Sequence, residues 1–226
     1  MPRVFAFALV TLLGVLIVAC DAPVTPNITL APTRATPTQI VARATPSADA
    51  AALARVLDAM QVETRWLRGV AVNWETGEPN GKRADADTTH CSKFVAAAAK
   101  NLGVYILRPP DHPTVMLANA QSDWLNAQGA ANGWTRIADG AQAQALANQG
   151  YLVVASLKSP DPKRHGHIAI VRPSAKSAAE IQKTGPQIIQ AGIDNLNSAS
   201  LKEGFKHHPG AFKNGEIQFW AHAVVR

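Results

Sequence analysis

The spacing of apolar residues changes near Gly150, and this change limits the fold more than any other feature of the chain. Before Gly150, apolar residues recur at helical spacing, whereas short apolar runs with a two-residue period follow it. The predicted helices lie at about 48–68, 91–102, 114–128 and 140–149. The predicted strands lie at about 151–157, 167–171, 187–191 and 216–225. Helices followed by antiparallel strands are typical of the α+β class, so we expect N-terminal helices packed on a small antiparallel sheet.

Residues 1–19 stand apart from this pattern because they form an apolar run behind the positive charge of Arg3. The run is too short to span a bilayer and ends in small residues, which favours an export signal. Its end, Ile-Val-Ala-Cys, resembles the lipobox of bacterial lipoproteins. The resemblance implies removal of residues 1–19, lipidation of Cys20 and an extracytoplasmic domain that is lipid-anchored to the bacterial cell membrane. A simple secretory signal or an uncleaved anchor is the alternative.

Residues 20–47 predict a tether rather than a folded part. Five prolines are interleaved with threonine and alanine, without a helical or strand period, so this Pro/Thr-rich segment cannot bury a core. It would hold the expected domain, residues 48–226, up to about 80 Å from the membrane.

The 22 Lys and Arg residues exceed the 16 Asp and Glu, but they are scattered and do not alternate with aromatic residues. Nucleic acid is therefore not expected as a partner, and we expect a monomer.

Cys91 has no expected disulfide partner, because Cys20 is the only other cysteine and lipidation would consume it. Thr88 and Thr89 are both good N-caps and place Cys91 at the start of a helix. The positive end of a helix lowers the pKa of a thiol, and its N–H groups, such as that of Ser92, can hold an oxyanion. These properties suit a nucleophile for acyl transfer, whereas an inert buried cysteine is the alternative.

His167 is the strongest candidate for a base among the seven histidines. It follows a glycine and opens an apolar strand, one face of which can lie against the helix of Cys91. Gln190 is the polar residue within the next apolar strand, and its side chain would bond the other ring nitrogen. Asp194 and Asn195 compete with Gln190 for this orienting role. A core histidine and a structural amide are the alternatives for His167 and Gln190.

A metal site is a weaker interpretation of the same residues. His165 and His167 share one face of a strand, and Cys91 could be a third ligand. A fourth ligand and a tight Cys/His spacing are missing from the sequence, so neither a metal nor another cofactor is expected.

Two motifs carry a family resemblance: Thr-His-Cys-Ser-Lys-Phe-Val around Cys91 and Gly-His-Ile-Ala-Ile-Val around His167. Together they resemble the NlpC-type and CHAP-type cell-wall cysteine peptidases and amidases, over about residues 85–195. The resemblance implies a papain-like core in which Cys91 attacks an amide, His167 is the base and Gln190 orients it. These families more often carry His, Glu, Asp or Asn at this third position.

The expected function is that of a lipid-anchored cysteine hydrolase whose substrate is peptidoglycan or its stem peptides. It would act as an endopeptidase or as an N-acetylmuramoyl-L-alanine amidase, through a thioacyl intermediate. Two alternatives stay open. One is a catalytically inactive envelope-binding module on the same fold, and the other is an acyltransferase or transamidase that uses the same Cys-His pair.

Overall fold

The computed structural model describes residues 46–208 and 210–225; the predictions for the export signal, Cys20 and residues 21–45 lie outside them. The helices of this part are α1 (Ala48–Ala59), α2 (Cys91–Asn101), α3 (Leu117–Gln128), α4 (Gly140–Ala147), α5 (Ala178–Thr184) and α6 (Leu201–Gly204), with a 3-10 turn at Ala130–Asn132. The strands are β1 (Trp134–Ile137), β2 (Leu152–Leu157), β3 (His167–Val171), β4 (Gln187–Gln190), β5 (Leu196–Ser200) and β6 (Gln218–His222).

The described strands form one antiparallel sheet in the order β1-β6-β2-β3-β4-β5. Strands β2 to β5 are consecutive neighbours and form an antiparallel meander. The last strand departs from a simple meander, because β6 lies between β1 and β2. Val154 of β2 thus pairs with Ile170 on one side and with Trp220 on the other.

Alternate residues of β2 face two hydrophobic clusters on opposite sides of the sheet. Leu152 and Val154 belong to a cluster that includes the buried side chains of α1, α2 and α3. Val153 and Ala155 belong to a second cluster, which includes the buried side chains of α4 and α6. The N-terminal helices therefore pack on one face of an antiparallel sheet, and the predicted α+β class is confirmed.

Helix α2 packs on β3 and β4 through a surface of small side chains. Residues 96–99 are four consecutive alanines, all of them buried. Alanine side chains let the helix backbone approach the sheet closely, at a density typical of protein interiors. The first residue of α2, Cys91, then meets the start of β3, where the backbone N–H of Ile168 points at its sulfur.

Two of the predicted helices are shorter than their apolar spacing suggests. Helix α1 begins after Ser47, whose hydroxyl accepts from the N–H of Ala50 at 3.2 Å, but it ends at Ala59. Gln61 has a φ of 53°, a left-handed conformation that helix ends favour. Helix α3 begins at Leu117 instead of residue 114, because Met116 has a φ of 54°.

Four elements have no counterpart in the sequence prediction, namely β1, α5, β5 and α6. They are short, and α5 buries none of its side chains. No helix within residues 46–208 and 210–225 has the length and apolar character needed to cross a membrane.

Candidate active site

Cys91 is the first residue of α2, as predicted, but the N-cap of this helix is His90. No side chain caps α2, so the prediction that Thr88 or Thr89 does so is wrong. The His90 ring is fully buried, and its Nε2 lies 2.7 Å from the carbonyl oxygen of Val70. This contact ties the preceding loop to the start of α2.

The thiol of Cys91 is buried against β3, with 6% of the residue exposed. The backbone N–H groups of Ile168 and Ser92 point at the sulfur and favour the thiolate. Burial outweighs them and raises the pKa of the Cys91 thiol above its ordinary value. The expectation of a lowered pKa is therefore wrong, because lost hydration penalises the thiolate more than the helix start stabilises it.

Gln121 of α3 supports the first turn of α2. Its Nε2 donates to the carbonyl oxygen of Ser92 at 3.1 Å and to that of Leu107 at 3.0 Å. The side chain is completely buried. Sequence reasoning missed this residue, because a glutamine inside a helical pattern gives no sign of which carbonyls it will meet.

His167 opens β3, and its ring is oriented by Gln190 at the end of β4. His167 Nε2 lies 2.8 Å from Gln190 Oε1, and both residues are buried. Gln190 Nε2 donates to the carbonyl oxygen of Asp194 at 3.2 Å, which leaves Oε1 facing the imidazole. An amide oxygen can only accept, so Nε2 of His167 carries the hydrogen and Nδ1 has a free lone pair.

Burial, its largest cause, lowers the pKa of His167 to about 4. The nearby charges of His208 and His207 act in the same direction, while the bond to Gln190 opposes them. His167 is therefore neutral at pH 7. A neutral imidazole with a free ring nitrogen suits a general base that removes a proton during attack.

Asp194 and Asn195, the competing candidates to orient the base, bond elsewhere. The Asp194 carboxylate contacts His207 Nε2 at 2.9 Å and Lys206 Nζ at 3.0 Å. Asn195 accepts from the N–H of Gly192 at 3.0 Å, and its amide nitrogen donates to backbone carbonyls of residues 62–66. Among the three sequence candidates, Gln190 is the one that contacts His167.

Two rings from the segment after α6 cover His167, and sequence reasoning assigned neither of them to the site. His208 stacks on His167 with ring centroids 5.6 Å apart, and Phe205 meets it edge-on at 4.7 Å. Burial lowers the pKa of His208 as well, helped by the charges of His207 and Arg164. The aromatic and histidine content of residues 205–208 is the signal that could have pointed to this cover.

A cavity of about 500 Å³ opens in front of His167. Its lining includes His167, Gln190 and Thr89, whereas Cys91 lies beneath the surface, beside the peptide that joins His167 to Ile168. A peptide-sized ligand in this cavity would therefore reach the imidazole first.

The metal interpretation gains no support from the geometry. His165 is exposed on the loop before β3, while His167 is buried and bonded to Gln190. In the described part of the chain, no three His, Cys, Asp or Glu side chains are grouped so that they could hold a metal ion.

No family model matches the chain. A stretch of 82 residues is 39% identical to the peptidoglycan amidase Tse1 of Pseudomonas aeruginosa. The similarity is to a cell-wall enzyme. It covers 36% of this chain and 44% of Tse1, so the chain matches less than half the length of this relative. The match agrees with the expected cell-wall hydrolases in general and does not distinguish NlpC-type from CHAP-type enzymes.

Proposed function

We propose that residues 48–226 hydrolyse amide bonds of peptidoglycan, with Cys91 as nucleophile, His167 as base and Gln190 as orienting residue. The observation that carries the proposal is the 2.8 Å contact between His167 Nε2 and Gln190 Oε1. The residue after His167 is Ile168, and its backbone N–H points at the Cys91 sulfur. The 39% identity to Tse1 supports peptidoglycan as the substrate.

Attack on the amide begins from the neutral pair. Nδ1 of His167 takes the thiol proton while the Cys91 sulfur bonds to the carbonyl carbon, whose oxygen becomes an oxyanion. Backbone N–H groups in the first turn of α2, including that of Ser92, stabilise this oxyanion. The imidazolium then protonates the amide nitrogen, the C–N bond breaks, and an amine leaves the thioester behind.

Hydrolysis of the thioester regenerates the site. His167 removes a proton from water as its oxygen attacks the thioester carbon, and the C–S bond breaks to release a carboxylic acid. The proton held by the imidazole returns to the Cys91 sulfur. Cleavage inside the stem peptide and cleavage at the N-acetylmuramoyl-L-alanine bond both follow this scheme.

The proposal includes a lipid anchor on Cys20, with residues 20–47 as a tether to the membrane. This arrangement would keep the enzyme outside the cytoplasm while it reaches the wall. Labelling of the chain with a radioactive fatty acid tests the anchor. We expect Cys20→Ala to abolish the label and to leave the chain unprocessed, and a labelled Cys20→Ala chain would contradict lipidation.

Digestion of purified peptidoglycan tests the catalytic proposal. The full chain, solubilised in detergent, should release muropeptides, which mass spectrometry identifies by their new amine and carboxyl ends. Cys91→Ala and His167→Ala should each lower the rate by about a thousandfold or more. His112→Ala is the matched control, because His112 is only half-buried and lies outside the cavity lining. Undiminished release by Cys91→Ala would contradict the proposal.

A non-catalytic envelope-binding module is the second candidate, and the burial of the Cys91 thiol favours it. Alkylation by iodoacetamide at neutral pH separates the two candidates. In a Cys20→Ser chain, modification of Cys91 that stops on His167→Ala supports the enzyme. A thiol that does not react with iodoacetamide supports the binding module.

A further inference from the structure

The cavity in front of His167 has an excess of positive charge along one side. Lys163 and Arg164 line it there, and we call this pair the basic edge. Both side chains are exposed, and neither forms an ion pair within the described residues. The remaining Arg and Asp side chains in the lining, Arg68 and Asp87, bond to each other and add no net charge.

The charge of Arg164 affects His208, which lies next to the proposed base. It lowers the pKa of His208, together with burial and the charge of His207. His208 in turn stacks on His167 at a centroid distance of 5.6 Å. Arg164 and His167 also line the same cavity, so an anion bound at Arg164 would share that cavity with the amide that is attacked.

The loop that carries the basic edge, residues 158–166, is fixed by Asn119 of α3. Asn119 Oδ1 accepts from the backbone N–H groups of Ser159 at 3.0 Å and Gly166 at 2.9 Å, and its Nδ2 donates to the carbonyl oxygen of Arg164 at 2.9 Å. Asn119 is 8% exposed. A backbone that is held before binding loses less conformational entropy when a ligand arrives.

We propose that the basic edge binds a free carboxylate on the substrate residue next to the scissile amide. The inference rests on the proposed function and names the peptide that the same site prefers. The guanidinium of Arg164 offers parallel N–H donors that match a carboxylate, and Lys163 adds a compact charge. A carboxamide at the same position keeps the shape but removes the charge, so the site discriminates between stem peptides that differ only there.

Two synthetic stem peptides test this site, identical except for a carboxylate or a carboxamide beside the scissile bond. We expect the full chain to hydrolyse the carboxylate peptide with the higher kcat/KM. Arg164→Gln should lower that value about fivefold, and Lys163→Gln combined with Arg164→Gln about twentyfold. The carboxamide peptide should change less than about twofold, because it makes no charged contact. Lys202→Gln is the matched control, since Lys202 is an exposed lysine outside the cavity lining.

A second readout does not need catalysis. Titration calorimetry measures the affinity of the full-length Cys91→Ala chain for each of the two peptides. Tighter binding of the carboxylate peptide that disappears on Arg164→Gln supports the site. Equal affinity for the two peptides, or an equal loss for both on Arg164→Gln, overturns it. Hydrolysis of both peptides at equal rates by wild type and variants overturns the carboxylate site while the proposed function stands. If wild type cleaves neither peptidoglycan nor peptide, the proposed function fails, and the calorimetry alone decides the carboxylate site.

Discussion

The imidazole rings of His167 and His208 are stacked, with centroids 5.6 Å apart and planes inclined by 20°. Phe205 closes another side of His167, and Gln190 bonds its Nε2. The base proposed for the reaction is thus held between two rings and one amide, with little contact to water. This enclosure lowers its pKa to about 4 and fixes the tautomer in which Nδ1 is free.

We expect His208→Ala to raise the pKa of His167 toward its ordinary value. The substitution removes both a ring that excludes water and a charge that opposes protonation. The acid limb of kcat/KM, expected near pH 4 in the wild type, should move to higher pH. The pH profile of peptidoglycan hydrolysis measures this shift, with His112→Ala as control. An acid limb that stays in place would show that His208 does not shield the base.

The free energy of unfolding should fall as the pH drops from 6.5 to about 4. His167 has a pKa of about 4 in the folded chain and an ordinary value of 6.5, so the unfolded chain alone binds the proton in this window. The loss should reach about 3 kcal/mol at pH 4, and nothing should be lost above pH 6.5. His90 and His208, whose pKa values burial also lowers, act in the same direction.

Urea denaturation at a series of pH values measures this loss. His167→Gln should reduce the slope between pH 6.5 and 4, because it removes the histidine whose pKa is lowered most. An unfolding free energy that is constant across this window would contradict the buried, neutral state of His167.

We expect Gly204→Ala to lower activity by displacing Gln190. A Cβ at residue 204 would lie 2.6 Å from Gln190 Oε1 and 2.7 Å from Ile188 Cδ1, too close for either contact. We expect kcat to fall about tenfold, because His167 loses its acceptor and its fixed orientation. Gln190→Ala should cause a similar fall, and the double variant should fall no further. Lys202→Ala, in the same helix, is the control. If the effects of Gly204→Ala and Gln190→Ala on kcat were fully additive in the double variant, the two substitutions would not share a cause.

Asn119 should affect both stability and activity through the loop before β3. Asn119→Ala leaves the N–H groups of Ser159 and Gly166 without their acceptor, which costs about 1–3 kcal/mol of unfolding free energy. Activity should fall as well, because Gly166 precedes His167. Asn119→Asp keeps an acceptor oxygen and should be milder in both assays. Asn126→Ala, an exposed asparagine of the same helix, is the control; equal effects of both alanine variants would contradict the loop contact.

The local elements with strong end signals could be predicted from the sequence. Ser47 and Asp139 cap α1 and α4 through their own side chains, and Asp139 Oδ1 accepts from the N–H of Gln142 at 2.8 Å. Such caps involve residues only three positions apart, so the sequence contains all of their partners. The half-exposed strand β5 was missed, because its mixed polar residues show neither an apolar run nor a clear alternation.

The sequence by itself determined the α+β class, the helix start at Cys91 and the strand start at His167, because local spacing and end signals encode them. Only the tertiary structure decided which polar residue meets His167. Side chains alternate along a strand, so a shift of one position would turn Gln190 away, and the β4–β5 pairing is itself irregular between Ile188 and Gln190. The tertiary structure also decided the directions in which the pKa values of Cys91 and His167 shift. Burial sets them, and burial depends on segments as distant in sequence as Cys91 and His208.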